Sequence, residues 1–530
     1  MHTRTFQRRV DGILCCLLAV LAGLWSLRNA TSESPVTADA ARHMMNGAMI
    51  LDFAVSGQYT SPRQFAEDYY SRLPAVTLPF HPPGFPLMEA VMFAVLGVSA
   101  LTARITVAFC CAATAVLLYR LVLATHQSRT QSIAACLLTF APHLSQFVAT
   151  DVLLEFPALM FTVAAAFQLR TMDSRFTTRS AVLFGLFAAC AIWTKQNTVF
   201  LGAVPFMVLL LSRQWGVLRR PPIWIAMSIF ALASAGLVLW SLPVLDSVLR
   251  HSVSWTANLG DLLVRNAEFY GGTFAGLFGI LKLLTLAGAA FLLISNRRPA
   301  KKRNGFVSLY LSWCIAATAV PLLSAYSDGR YLFFAFPAFA VLVVTAGGAL
   351  LQKMLPDPAV GTIIVVSAGL MFIVCWRHPQ HLGGPRQAAE RVHRIDARRV
   401  LVCATTDGAF VAAMRSLNAT WTDCPFIIRG DKLRRSSFRK SEFESMASEF
   451  GIDAIVLESS TGAQGPWHKL CRSPTKSMML ITRIPEESTF PPQNGELLVF
   501  SFAKTSRNPK HRLKIPISRT GKNLELRLSP

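Results

Sequence analysis

The chain has 530 residues, with Lys+Arg 52 against Asp+Glu 29 and a formal net charge of +23. Apolar residues make up 52% of it and charged residues 15%, with a mean hydropathy of +0.42, whereas an ordinary soluble domain carries about 25% charged residues. Most of the chain is therefore excluded from being a water-facing globule, and an acidic disordered chain is excluded as well. A nucleic-acid binder can be this basic, but it would not alternate basic clusters with apolar runs of bilayer length. The pattern is that of a polytopic membrane protein with membrane lipids, and no nucleic acid, as its surroundings.

Residues 1–10 are basic (Arg4, Arg8, Arg9) and an apolar run, 12–27, follows without a small-x-small cleavage site. This reads as an uncleaved first transmembrane helix with a cytoplasmic N-terminus rather than a signal peptide. A span needs roughly 20 apolar residues. Further candidates are 84–100, 102–123, 131–149, 152–169, 181–194, 198–211, 223–242, 273–295, 306–324, 331–351 and 360–376. Basic connections at 120–129, 170–179, 213–220, 297–303 and Lys353 alternate with less basic ones around Asp151, Lys195, 243–272 and 328–330. Since Lys and Arg concentrate in cytoplasmic loops, the first set is expected inside and the second outside. The loop 29–83 is then external, 84–123 makes one net crossing, and the tail is external.

From residue 377 the material changes. The stretches 400–404, 424–429 and 452–458 read as strands and 409–417 and 442–450 as helices, a small α/β unit. Residues 501–530 are basic and polar and are expected to be loosely ordered. Eight of the 11 cysteines lie in apolar runs, where Cys acts as a small hydrophobe. Cys403, Cys424 and Cys471 lie in the tail, leaving room for one disulfide if it faces an oxidising compartment. The expectation is an α-helical polytopic membrane protein of about 11–13 transmembrane helices over 1–376, with an external α/β domain over 377–500.

Chemistry concentrates in the first external loop. It holds Thr37-Ala38-Asp39-Ala40-Ala41-Arg42-His43, Asn46-Gly47, Asp52, Glu67-Asp68-Tyr69-Tyr70 and His81-Pro82-Pro83-Gly84. Asp39, Arg42 and His43 are spaced to share one helix face. A carboxylate beside an imidazole can deprotonate a hydroxyl, a contribution of about 10²–10⁴-fold; the plainer alternative is Asp39 capping an interfacial helix, with Arg42 and His43 solvated.

The order of Asp39-Ala-Ala-Arg-His, Asn46-Gly47, Tyr69-Tyr70, His81-Pro82-Pro83, Gly97 and Arg104 resembles the opening of the GT-C glycosyltransferases. These polyprenyl-phosphate-sugar-dependent enzymes include protein O-mannosyltransferases and the aminoarabinose transferase of lipid A. The resemblance continues through Asp151, placed to open a helix, Thr194-Lys195 ending one, and Arg330-Tyr331 ahead of Pro337. It covers about residues 10 to 350 and implies a GT-C fold, with Asp39 as general base on the acceptor hydroxyl and loss of the lipid phosphate with inversion. The family often has Glu directly after this Asp, where Ala40 stands here. Its Pro-Pro pair usually precedes Leu, where Gly84 stands.

The leaving group in such a reaction is a lipid phosphodiester, so cations at the external face would stabilise its developing charge. Lys195 and Arg330 sit at ends of apolar runs, where they serve that purpose or snorkel to water. Asp151 is placed to orient the acceptor or the base, or to cap its helix. Glu155 lies one turn further, Tyr331 adjoins Arg330, and His81 precedes a rigid Pro-Pro turn that could approach the phosphate. The expected partners are a polyprenyl-phosphate sugar donor and a lipid, glycan or protein acceptor. No phosphate-cradling Gly-rich loop, HExxH or nucleotide fingerprint is present. No nucleotide cofactor is expected, and a divalent metal is left open without assigned ligands. The alternatives are a transporter or flippase of a lipid-linked glycan, which would place its polar residues near the midplane in two related halves, or an inactive protein of GT-C fold.

Overall fold

The computed structural model describes residues 2–57, 61–78, 80–170, 172, 176–244, 259–278, 304–324, 326–430, 440–459, 470, 474–475, 477–489, 492–502, 512–516 and 523–527. Helix α1 (His2–Ser26) is followed by α2 (Ala38–Ser56) and α3 (Pro62–Arg72) in the polar loop, then α4 (Gly84–Leu96) and α5 (Ala100–His126). The helices α6 (Arg129–Phe140), α7 (His143–Thr150), α8 (Glu155–Leu169), α9 (Thr178–Thr194), α10 (Val204–Ser212) and α11 (Pro221–Ser241) come next. After them lie α12 (Leu259–Phe278), α13 (Asn304–Leu322), α14 (Phe336–Leu351) and α15 (Asp357–Val374).

Among the described residues, Thr5–Asn29, Ala100–His126, Pro221–Ser241, Gly329–Leu351 and Asp357–Val374 are long and apolar enough to cross a membrane. Shorter apolar helices are Gly84–Leu96, Glu155–Leu169, Thr178–Thr194, Gln196–Ser212 and Val307–Leu322. The chain is an integral membrane protein, and α1 and α15 turn apolar side chains such as Leu24 and Val374 outward, as a lipid solvent permits. Within 84–123 only α5 has the length of a span; the 13 residues of α4 fall short of the roughly 20 required. The expected run 273–295 and basic loop 297–303 lie mostly outside the described residues, as does much of 243–272.

The expected continuous helix over 131–149 is instead broken, with α6 and α7 meeting at 74°. Pro142 has no N–H to continue the helical ladder and stands in an extended conformation (φ −55, ψ 142). The carbonyls freed by the break are satisfied locally. Gln146 Nε2 donates to Ala141 O at 2.9 Å and Ser145 Oγ donates to Thr139 O at 2.7 Å, as a low-dielectric surrounding requires.

Contacts group the chain into two compact units. The first comprises Met1–Leu27, Leu78–Phe85 and Val107–His378, the second Arg28–Thr77, Pro86–Thr106 and Pro379–Pro530. In the first, Trp25 packs edge-on against Phe140 and Phe156 with ring centroids at 5.2 and 6.4 Å, tying α1 to α6 and α8.

The second unit contains α16 (Pro385–Arg394), β1 (Arg399–Cys403), α17 (Asp407–Leu417), β2 (Phe426–Arg429), α18 (Lys440–Glu449), β3 (Ala454–Glu458), β4 (Met478–Thr489), β5 (Pro492–Phe502), β6 (Arg512–Pro516) and β7 (Asn523–Arg527). The sheet order is β2-β1-β3-β5-β4. Strand β1 is parallel to β2 and β3, and β5 and β4 add antiparallel to that edge. Alternate residues Leu401, Ile455, Leu457, Leu498 and Phe500 face one core with Phe443 and Met446 of α18. The β4–β5 hairpin was not expected from sequence. Within 501–530, read as loosely ordered, the backbones of β6 and β7 pair antiparallel, with Leu513 in register with Leu526, Lys514 with Glu525 and Ile515 with Leu524. The two-residue alternation was hidden by the run of basic side chains around it. Among the described residues no disulfide joins Cys403 to Cys424, and Cys471 lies outside them.

Candidate active site

The expected site residues divide between the two units. In the first unit, Asp151 is buried and extended (φ −117, ψ 173) at the C-terminal end of α7. This corrects the expectation that it opens a helix: Asp151 closes α7, and the next helix, α8, opens only at Glu155. Glu155 forms an ion pair with Lys195, the residue that ends α9; the two side chains are 1% and 11% exposed. The Lys195 ammonium lies 6.0 Å from the centroid of the Tyr331 ring, within range of a cation–π attraction.

Tyr331 belongs to the 3-10 turn Gly329–Ala335, whose cap is Asp328. The Asp328 carboxylate accepts from Arg330 N at 2.9 Å and from Arg330 Nε at 2.8 Å, and Nη2 stands 2.7 Å from it. The Arg330 guanidinium is thus aimed by its own turn and does not swing freely as a snorkelling side chain would. The His81 turn joins the same neighbourhood through the backbone. Gln196 Nε2, directly after Lys195, donates to Phe80 O at 2.9 Å. Gly84 is required there: a Cβ would stand 2.6 Å from Trp193 O and 2.9 Å from Thr194 Oγ1. That close approach explains a glycine where the GT-C pattern has Leu, because the turn abuts the end of α9.

In the second unit, α2 carries Asp39, Arg42 and His43 as expected. Thr37, not Asp39, is the N-cap, with its Oγ1 accepting from Ala40 N at 3.1 Å. Capping is therefore not the role of Asp39. Its carboxylate lies 3.5 Å from Arg42 Nη1, and the two side chains are 33% and 35% exposed. His43, read as a solvated alternative, is instead buried. Among the described residues no group of three or more His, Cys, Asp or Glu side chains is placed to hold a metal ion.

Residues 80–240 match the sequence model of a family described as dolichyl-phosphate-mannose-protein mannosyltransferase. No curated protein sequence matches significantly. ArnT from Cupriavidus metallidurans bound to undecaprenyl phosphate aligns with a TM-score of 0.59 at 14% identity, over 92% of this chain and 97% of that one. Its apo state gives 0.60 at 14% identity, over 95% and 100%. The oligosaccharyltransferase of Archaeoglobus fulgidus, tethered with an acceptor peptide, gives 0.50 at 11% identity, over 94% of this chain and 74% of that one. This chain has the GT-C fold.

The segment matched by the family model takes in His81, Asp151, Glu155 and Lys195 and leaves out Asp39, Arg42, His43, Arg330 and Tyr331. One polar centre in the second unit was not anticipated. Asp52, near the end of α2, accepts from Arg415 Nε at 2.8 Å and Nη2 at 2.6 Å across 363 residues of sequence. Tyr69 Oη donates to the same carboxylate at 3.0 Å. Burial, together with the Asp52 charge, pushes the Tyr69 phenol well above its ordinary range and keeps it a donor. Burial works against the Arg415 charge, but the Asp52 hydrogen bonds and charge outweigh it and hold the guanidinium above its ordinary value. Tyr69 belongs to a motif singled out from sequence, but nothing local in the sequence pairs Asp52 with Arg415.

Proposed function

We propose that this protein is an integral membrane glycosyltransferase that moves a sugar from a polyprenyl-phosphate carrier to an external lipid, glycan or protein acceptor. The observation that carries this reading is the GT-C likeness over nearly the whole chain to ArnT, a protein seen bound to undecaprenyl phosphate. In the proposed reaction Asp39 takes the proton of the acceptor hydroxyl as its oxygen attacks the anomeric carbon. The bond from that carbon to the phosphate oxygen breaks with inversion, and the lipid phosphate leaves carrying the additional negative charge. Asp39 is solvent-accessible and lies in the first turn of its helix, which suits a base that must reach an incoming hydroxyl.

Lys195, Arg330, Tyr331 and His81 are assigned to the donor phosphate. Lys195 has Glu155 beside it and Arg330 has Asp328. An ammonium has three donors and a guanidinium five, so one carboxylate does not exhaust either, and both keep capacity for phosphate oxygens. Asp151 orients the acceptor or the base. With Ala40 beside it, Asp39 works as a single carboxylate. The alternation of basic and less basic loops supports a cytoplasmic membrane location with the site and the α/β domain outside.

The test is sugar transfer from a panel of polyprenyl-phosphate sugars by protein reconstituted in lipid nanodiscs. Asp39→Asn is expected to keep donor binding and lower transfer by at least about 10². Transfer at the wild-type rate by that variant would overturn the base assignment.

A further inference from the structure

Helix α17 of the C-terminal domain runs beside α2, the helix that carries Asp39, and both belong to the second unit. The two touch at both ends. At the first turn of α2, a Cβ built on Gly408 would stand 3.2 Å from Ala41 Cβ and 4.0 Å from Ala38 O. Glycine therefore lets α17 press close to the turn that holds Asp39. Further along, Arg415 grips Asp52 with two parallel hydrogen bonds, Tyr69 completes the carboxylate, and Arg415 Nη1 donates to Asn418 O at 2.9 Å. The Arg415 and Asp52 side chains are only 4% and 8% exposed. Ala41 and Asp52 are 11 residues apart, or about 16 Å along the helix. Contacts at two points that far apart oppose both sliding and rotation of α2 against α17.

The start of α17 is itself anchored. Asp407 pairs with Arg429 at 2.5 Å, and Arg429 Nη1 donates to Pro74 O at 3.2 Å, back in the first loop. Arg72 of α3 donates to the Thr422 and Cys424 carbonyls and lies 4.3 Å from the Phe426 ring centroid. A buried ion pair is weak as a source of stability, since well-packed apolar residues of similar volume do as well or better. What a bidentate pair supplies beyond that is geometry: it accepts one register and one angle. A general base has the same requirement, because a displacement of about 1 Å can cost 10²-fold.

We infer that α17 is a positioning splint for the general base, with Gly408 and Arg415 as positioning residues that hold α2 in the register Asp39 needs. This rests on the reading of Asp39 as base. The test uses the full-length protein in nanodiscs. The variant Asp52→Leu/Tyr69→Phe/Arg415→Met removes the whole polar centre and leaves no buried orphan charge, so the fold is kept; Gly408→Ala is the milder second variant. Both are expected to lower kcat at least about 10-fold with donor KM changed less than about threefold. In the triple variant, amide hydrogen exchange across residues 38–56 is expected to rise at least about 10-fold while β1 and β3 keep their protection. In the same background Asp39→Asn should cost much less than in the native protein, because a displaced base has less to lose. Unchanged exchange in α2, or raised exchange with unchanged kcat, would overturn the splint. If Asp39→Asn alone leaves transfer at the wild-type rate, the base reading fails instead, a result the exchange measurement does not depend on.

Discussion

Two buried ion pairs, one in each unit, differ in how completely their carboxylates are satisfied. Asp52 receives Arg415 on both oxygens and Tyr69 on one of them. Glu155 receives the Lys195 ammonium on Oε1, while its Oε2 is buried without a hydrogen-bond partner among the described residues. The first is a closed structural joint held by a planar fork. The second sets a point charge on a flexible stem, beside a tyrosine ring, against a carboxylate with acceptor capacity to spare. Saturated buried polar groups hold a fold in one arrangement, whereas partly satisfied ones keep a local cost that structures tolerate mainly at working sites.

A third carboxyl sharpens the contrast. Glu486, buried in β4, accepts from Thr406 Oγ1 at 2.8 Å on one oxygen, and its other oxygen has no partner among the described residues. Burial, reinforced by the charge of Glu458, pushes its pKa up to about 7 despite the Thr406 hydrogen bond. The α/β domain thus tolerates a half-satisfied acid that holds its proton up to about pH 7.

The contrast can be broken by experiment. Arg415→Met alone strands the Asp52 charge and is expected to cost about 3–5 kcal/mol of stability, read as a large drop in Tm; a small drop would mean the joint is not closed. For Glu486, the folded state keeps a proton that the unfolded chain has released between about pH 4.5 and 7, so stability falls as pH rises through that window. The fall is about 3 kcal/mol at most, and Glu486→Gln should flatten it in Tm measured from pH 4 to 8. Lys195→Gln is expected to leave the fold in place and lower sugar transfer by about 10², as loss of one cationic donor at a developing charge does. Intact transfer with reduced Tm would move the Lys195 pair into the structural class with Asp52.

Much of this was legible in the chain itself. Apolar runs of bilayer length, the basic clusters between them and the change of composition after residue 376 needed only local reading, because lipid selects on windows of about 20 residues. The pairing of Asp39 with Arg42 one turn on followed from the 3.6-residue period, and Lys195 at a helix end from where its apolar run stops. Asp151 was placed at the wrong end of its helix because the next apolar run was read from residue 152, whereas that helix starts at Glu155. The β4–β5 hairpin escaped because its apolar residues, such as Leu497, Leu498, Val499 and Phe500, form a run rather than an alternation.

By itself, then, the sequence determined the solvent each segment would have, the helical faces within a few turns, and an order of motifs that pointed to the GT-C fold. Only the tertiary structure decided which charges would meet: Glu155 with Lys195, Asp52 with Arg415, and Gly84 against the end of α9. The reason is physical. Local patterns follow from backbone periodicity and burial over a few residues, whereas the partner of a buried charge is chosen by which distant surfaces the packed chain brings within about 3 Å.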